Sequence, residues 1–496
     1  MNSQDIPSSA MRASALLDEL TALRAQILDD VPERLAMLTA GQQTADPAVV
    51  NLIHYLLLRR NDIRPLQRRL MALGLSSLGR LEGRVLVTLD AVIAALAALA
   101  GRDVSGDPPM ETDYFAGEAR LAAAAETLMG PEPDGRRTRI MVTLPSEAAD
   151  GPDLVLDLAR AGMDVARINC AHDDVKAWTR MAGFVRAAAK VVGRDIAVLM
   201  DIAGPKIRTA EVVLPEKKAR LQVGDRVRLV TQGKPRVCEA ARFSACVSLP
   251  QIVTRLRIGD RLRYDDGKLE AVVESLSEGE AVVLVRKTKA GGTKLKEEKG
   301  INLPDTSLGL SPLTTKDEAD LASVIVLADI IGYSFVSQPE DIDLLDAVLE
   351  RLGQAGRKLG LIAKIEQPQA VSNLPALIVR ARERGPFGVM IARGDLAAEI
   401  GFERLAEMQE EILWICEAAS VPCIWATQVL EDMVKQGIPT RGEMTDAAMA
   451  ARAECVMLNK GPAVVEAVSM LDRLLARMDG HVFKKTPTLR ALSSWQ

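Results

Sequence analysis

Ile362-Ala-Lys-Ile-Glu-Gln-Pro368, followed by Val389-Met-Ile-Ala-Arg-Gly-Asp395, decides how this chain folds. Each is an apolar run that ends in charge. Lys364 and Glu366 are two positions apart, so an extended strand turns both side chains to one side. Arg393-Gly394-Asp395 closes the second run, and glycine at 394 lets backbone come close to a ligand. A third run, Val421-Pro-Cys-Ile-Trp-Ala-Thr-Gln428, ends in a hydroxyl and an amide. Charged groups at the ends of parallel strands mark the catalytic mouth of an α/β barrel. A lysine, two carboxylates and a threonine placed there suit a divalent, oxygen-liganded metal and a phosphorylated or enolisable acid.

Working outward, apolar runs near 139–143, 165–168, 197–200, 329–333, 360–365, 388–392, 421–426 and 454–458 alternate with helical patterns. This predicts a (β/α)8 TIM barrel over 137–210 and 300–480. Residues 211–299 read differently. Short alternating runs such as Val223-Gly-Asp-Arg-Val-Arg-Leu-Val230, separated by Gly and Asp turns, predict an inserted small β-barrel domain. Residues 1–136 read as helical, with Leu17, Leu20, Leu23 and Leu28 near helical spacing and Val85 to Leu99 an apolar helix. Gly130-Pro-Glu-Pro-Asp-Gly135 is the linker to the barrel, and 481–496 is a C-terminal tail.

The 496 residues exceed one ordinary core. A net charge of -5 and 3% aromatics give no pull toward nucleic acid or a membrane surface. Six cysteines without CxxC spacing suit buried thiols in a reducing cytoplasm. The run Ala91 to Ala100 is too short to span a bilayer, and no secretory signal is read at the N-terminus. No Walker loop occurs.

Eight segments in order resemble the pyruvate kinase family. They are Gly162-Met-Asp-Val-Ala-Arg-Ile-Asn169, Asp201-Ile-Ala-Gly-Pro-Lys-Ile-Arg208, Tyr264-Asp-Asp-Gly267, Lys299-Gly-Ile-Asn-Leu-Pro304, Lys364-Ile-Glu366, Met390-Ile-Ala-Arg-Gly-Asp-Leu-Ala-Ala-Glu-Ile400, Ala426-Thr-Gln-Val-Leu-Glu-Asp-Met433 and Pro439-Thr-Arg-Gly-Glu443. The resemblance spans roughly 137 to 480 and leaves the helical N-terminal region outside it. It implies phosphoryl transfer from phosphoenolpyruvate to ADP, giving pyruvate and ATP, with the insert as a mobile lid. No counterpart of the family's C-terminal domain for allosteric sugar phosphates is expected. A homo-oligomer formed through the barrel is expected.

The resemblance also implies roles. Glu366 and Asp395 are the expected Mg²⁺ ligands; without it, either acid reads as a solvated surface carboxylate. Lys364 is expected on the transferring phosphoryl group and the enolate oxygen, its plainer reading being a salt bridge across the barrel mouth. Thr427 is expected near the methylene carbon of the substrate, although a threonine that ends a strand is commonly a cap. The amides of Gly394 and Asp395, at the start of a helix, suit the substrate carboxylate. Arg167 and Arg208 resemble the arginines that bind the phosphoryl group and the nucleotide phosphates, work that suits a bidentate fork. Asn169, also placed at the nucleotide, and Asp201 match two ligands of the family's monovalent cation. Here Ala171 replaces a ligand serine and Lys206 replaces an acid, so the Lys206 ammonium is expected beside Asn169 and Asp201 in place of potassium. Strand one ends Thr143-Leu-Pro-Ser146 and strand eight Leu458-Asn-Lys-Gly-Pro462, both unlike the family's usual loops. Two other readings stand beside this one. One is a Mg²⁺–enolate barrel enzyme with a different substrate, and the other a catalytically weak regulatory relative.

Overall fold

In a computed structural model, residues 8–39, 46–103, 108–231, 234–249, 252–306, 309–353 and 359–479 are described; the expected tail at 481–496 lies outside them. The strands β1 (Arg139–Thr143), β2 (Val165–Asn169) and β3 (Ala197–Asp201) lead into a second sheet. It is formed by β4 (Thr209–Val213), β5 (Arg226–Val230), β6 (Phe243–Val247), β7 (Arg261–Tyr264), β8 (Leu269–Ser277), β9 (Glu280–Thr288) and β10 (Ile301–Asn302). The chain then returns through β11 (Ile330–Tyr333), β12 (Gly360–Ile365), β13 (Phe387–Ala392), β14 (Cys423–Ala426) and β15 (Cys455–Leu458). The first three and last five strands close an all-parallel barrel, in the order β1-β15-β14-β13-β12-β11-β3-β2. Helices connect successive strands, so this is a (β/α)8 barrel carrying an inserted β-domain and a helical N-terminal region.

The second sheet runs from Thr209 to Asn302, a little beyond the 211–299 expected. The reason is edge pairing. Arg208 bridges Gly300, and the Ile301 amide donates to the Ile207 carbonyl at 2.9 Å. The strands that leave and re-enter the barrel are thereby joined to each other, and the sheet curls toward closure around its own apolar core of Val227, Phe243, Leu262, Val283 and their neighbours.

Alternation along the strands sorts the barrel interior into layers. Met141, Leu199, Ile362, Met390 and Ile424 fill the middle. Two positions further along the same faces come Thr143, Asp201 and Lys364, so the C-terminal layer is polar. At the opposite end the interior is left open, because β12 begins with Gly360 and β13 has Gly388 as its second residue. Cβ atoms added there would lie 2.7 and 2.6 Å from the two methyl carbons of Leu128. Leu128 comes from the N-terminal region, whose helices are α1 (Ser9–Leu38), α2 (Pro47–Leu58), α3 (Arg64–Ala72), α4 (Val85–Ala100) and α5 (Glu111–Met129). The C-terminal end of α5 thus plugs the barrel floor with Ala125, Leu128 and Met129, all buried. Burying a side chain such as Leu128 is worth about 1.5–3 kcal/mol.

The junction between this region and the barrel also buries acid. Asn51 on α2 donates to the carbonyls of Glu82 and Ala418 at 2.7 and 2.8 Å, which brings Glu82 beside Glu417. Burial, with Glu417 adding to it, pushes Glu82 up to about 8. Burial likewise pushes Glu454, just before β15, up to about 7, and raises Glu417. A raised carboxyl pKa means that the folded chain binds protons the unfolded chain releases. This penalty is absent below the ordinary carboxylate range and complete above about pH 8, so stability falls as pH rises between them. We expect the melting midpoint to drop from pH 5 to pH 8.5. Glu454→Gln should flatten that slope, and an unchanged slope would mean that the group is not ionising in the fold.

Candidate active site

The polar layer at the C-terminal mouth is a chain of opposite charges. The Lys364 ammonium lies 3.0 Å from Glu366 Oε1 and 3.3 Å from Asp201 Oδ1, and it donates to Ser334 Oγ at 2.7 Å. Arg167 forks onto Asp201 Oδ2 from the other side and donates to Thr143 Oγ1 at 3.0 Å. Glu366 Oε2 accepts from the Phe335 amide at 2.6 Å. All four charged side chains are buried. Ions so placed are held only if each finds its partner. Burial works against the charge on Lys364, but Asp201 and Glu366 outweigh it and raise its pKa above the ordinary value. Asp201 is likewise held low by Lys364 and Arg167 in spite of burial. Glu366 goes the other way. Burial raises it, Lys364 opposes this, and the charge on Asp395 adds to it.

Asp395 sits in the helix Arg393–Ile400 directly after β13. Its carboxylate receives the Lys206 ammonium at 2.8 and 3.0 Å and the Asn302 amide at 3.5 Å. Asn302 also donates to Glu399 at 2.9 Å, and Glu399 is pushed up to about 7, chiefly by burial. Asn302 belongs to β10, so the inserted domain reaches the same end of the barrel as Lys364. Arg263 of β7 reinforces this by donating to the carbonyls of Ala397 and Ala398 at 3.2 and 2.9 Å.

Lys206 is therefore not where the sequence placed it. It pairs with Asp395, while Asp201 is taken by Lys364 and Arg167, and Asn169 uses its side-chain oxygen to accept from the Ala171 amide at 3.0 Å. The difference is one of electrostatics: Asp201 already has two cationic partners, whereas Lys206 supplies the ammonium that Asp395 needs. Gly300 makes room for this, since a Cβ there would lie 2.9 Å from Lys206 Cε. Arg208 donates to the Glu298 carbonyl at 3.1 Å on the insert side and, with Lys460 and Arg167, presses on His172, whose pKa falls through burial and these charges. Arg167, Arg208 and Lys460 thus bring three positive charges near His172.

Glu366, buried, and Asp395, half-buried beside it, whose charge raises the Glu366 pKa, are hard oxygen donors with charge to be offset. They fit Mg²⁺, which takes one or two protein carboxylates and completes its shell with water and substrate oxygens.

The family model described as pyruvate kinase, barrel domain, matches residues 135–466, more than half of the chain. The chain belongs to the pyruvate kinase family. It is 33% identical over 351 residues to the pyruvate kinase of Mycobacterium tuberculosis strain H37Rv, covering 69% of this chain and 70% of that protein. To the pyruvate kinase of Methylorubrum extorquens it is 34% identical over 351 residues, 69% of each chain. Among solved structures, a pyruvate kinase from Cryptosporidium parvum superposes with a TM-score of 0.62 at 27% identity, over 72% of this chain and 73% of that one.

Thr427 follows β14 in the left-handed region at φ 73°, a costly conformation for a β-branched residue. Gln428 and Leu430 share it at 58° and 48°. Arg393 holds this loop, donating to the Ala426 and Thr427 carbonyls at 3.0 and 2.7 Å while paired with Asp446 and stacked on Trp425. The Thr427 methyl packs on Gly394, where an added Cβ would lie 2.8 Å from it. Gly394→Ala should therefore move Thr427 and lower kcat by about tenfold or more, equivalent to ~1.4 kcal/mol. Adding Thr427→Ser, which deletes the clashing methyl, should restore most of the loss. Steady-state kinetics of both variants check this.

Ser334, Asn302, Lys460 and Arg393 carry parts of this geometry that the sequence reading left without a role. Asn302 and Arg393 lie inside the quoted motifs, and Ser334 and Lys460 end barrel strands, which was the available signal.

Proposed function

We propose that this chain transfers the phosphoryl group of phosphoenolpyruvate to ADP, with Lys364, Arg167 and Thr427 at the reacting groups and Glu366 and Asp395 as ligands of Mg²⁺. The observation that carries the reading is the buried Lys364 ammonium, held between Asp201 and Glu366 at the barrel mouth with Asp395 beside them. Bound there, Mg²⁺ would supply a Lewis acid for the carboxylate and enol oxygen of the substrate.

The chain's own groups account for the rest. In the transfer, the bond between phosphorus and the enol oxygen breaks and a bond from phosphorus to a terminal oxygen of ADP forms. The electron pair stays on the enol oxygen, and Lys364 is placed to offset it along with charge on the moving phosphoryl group. Arg167, fixed by Asp201 and Thr143, presents a guanidinium edge to the phosphoryl oxygens. Gly394 and Asp395 lie in the first turn of their helix, where amides have no partner within the helix and suit the substrate carboxylate. The enolate then takes a proton at its methylene carbon. The Thr427 hydroxyl makes no hydrogen bond among the described residues, which leaves it free to pass one. Arg208 and Asn169, at the insert side of the mouth, are the nucleotide contacts, and the insert closes over them to exclude water.

The reading carries with it a cytoplasmic enzyme that needs Mg²⁺ but not potassium, binds neither nucleic acid nor membrane, and assembles as a homo-oligomer through the barrel. Among the described residues, no helix is long and apolar enough to cross a membrane. A coupled assay for pyruvate and ATP formed from phosphoenolpyruvate, ADP and Mg²⁺ tests it. Absence of both products from well-folded protein would overturn it in favour of another substrate or a regulatory role.

A further inference from the structure

The N-terminal helices line a half-open cavity of about 960 Å³ well away from the barrel mouth, bounded by α1, α2, α4, α5 and the turn before α4. Its size is that of a small-molecule site. Val50, Leu86, Ile93 and Ala94 form an apolar wall. Three arginines, Arg24, Arg84 and Arg120, line it. Arg24 is already paired with Asp90. Neither Arg84 nor Arg120 is in an ion pair among the described residues, though the charge of Arg84 reaches the buried Glu417. The guanidinium of neither makes a hydrogen bond among them, and the Nε of each is shut off from solvent without a partner. A buried donor left in this state costs about 1–3 kcal/mol.

The two arginines are not loose surface groups. Arg84 is stacked over Tyr114 and Phe115, with its carbon 4.6 and 5.3 Å from the ring centroids. Next to it, Gly83 is pressed against Gly117 of α5 so closely that a Cβ on Gly117 would lie 1.9 Å from the Gly83 carbonyl oxygen. That contact fixes α5, and so Arg120 one turn later, against the Arg84 turn. His54, at the α2 side, is held neutral near pH 7, its pKa lowered to about 4 by burial and by Arg24, so it can donate one hydrogen bond as well as accept one. Asp113 is the remaining acid on the wall. About two helical turns beyond Arg120, the same helix ends in Leu128 at the barrel floor.

From this arrangement we infer that the cavity binds an amphipathic organic anion, its oxyanion head, phosphate or carboxylate, between Arg84 and Arg120 and its apolar body on the Val50–Leu86–Ile93 wall. The head supplies acceptors for the terminal nitrogens of both guanidinium groups, which have no hydrogen-bond partner among the described residues, and a charge-assisted fork is the strong form of that contact.

The probe is anilinonaphthalene sulfonate, an anion with an aromatic body, titrated into the full-length chain by fluorescence. We expect saturable binding at one site per chain, weakened at least about tenfold in Arg120→Met and blocked by the bulk of Ala116→Phe. Tenfold corresponds to ~1.4 kcal/mol. Because Arg120 has no partner to lose, Arg120→Met should leave the melting midpoint unchanged or raise it; a midpoint lowered in step with affinity would make the residue structural and overturn the proposal. Dye binding that ignores both variants, or that phosphoenolpyruvate with Mg²⁺ and ADP displaces, overturns it as well. Phenyl phosphate and benzoate, used as competitors for the Arg120-dependent signal, identify the head. Displacement by either supports the site and names its chemistry, and displacement by neither overturns it.

Discussion

Lys364→Met should lower kcat by about a thousandfold while the chain stays folded. Removing one preorganised group that meets charge only in the transition state costs about 10²–10³ in turnover, and Lys364 is placed for both the phosphoryl group and the enolate. The fold should survive because the charges left behind have other outlets. Asp201 keeps Arg167, and Glu366, already raised by burial and by Asp395, can take up a proton instead of remaining an unpaired ion. The loss should therefore appear in kcat, with the Mg²⁺ requirement little changed. Glu366→Gln and Asp395→Asn should instead raise the Mg²⁺ concentration needed as well as lower turnover, since each removes a proposed ligand. Titrating Mg²⁺ in a steady-state assay of the three variants, with melting curves as control, separates these effects. Turnover near that of the unmutated chain in Lys364→Met would sink the role given to the lysine.

What the sequence made legible is what local alternation can carry. Period two put Lys364 and Glu366 on one side of a strand, and their side chains meet at 3.0 Å. The rhythm of eight apolar runs between helical patterns gave the barrel, and period-two alternation between Gly and Asp turns set the insert apart from it. Contacts between segments far apart in the chain left no such trace. Nothing near Lys206 says that its ammonium will reach Asp395 across the mouth, or that Gly300 must lack a side chain for it to do so. Nor does the Leu and Ala pattern of α5 announce that Leu128 will enter the barrel floor. The clue is a pair of glycines, Gly360 and Gly388, at or next to the starts of two strands, which read alone only as weak points in them. The resemblance to a family supplied roles for residues inside shared motifs, and it was silent on the helical N-terminal region that shares none.

Potassium should make little difference to this enzyme, and Lys206→Glu should make a large one. The Lys206 ammonium is a fixed positive charge at the mouth, 2.8 Å from Asp395, and it holds that carboxylate ionised against the pull of burial. Rates in sodium, potassium and tetramethylammonium chloride at equal ionic strength should agree within about twofold, well inside the tenfold that ~1.4 kcal/mol represents. Lys206→Glu replaces the attraction with a third acid beside Asp395 and Asp266, whose own carboxyl is raised by burial and eased by Lys206. The proposed Mg²⁺ ligand would then gain a proton more readily, and kcat/KM should fall by about 10²–10³, as when one preorganised charge is lost. Because the ammonium sits on Asp395 and not on Asp201, the loss should shrink as Mg²⁺ is raised, which a vacancy confined to Asn169 and Asp201 does not predict. Adding Ala171→Ser to Lys206→Glu puts a hydroxyl beside Asn169 while the new acid lies beside Asp395, so it should return none of the lost activity in either potassium or sodium. Strong activation of the unmutated enzyme by potassium over sodium would show that the lysine does not stand in for the ion.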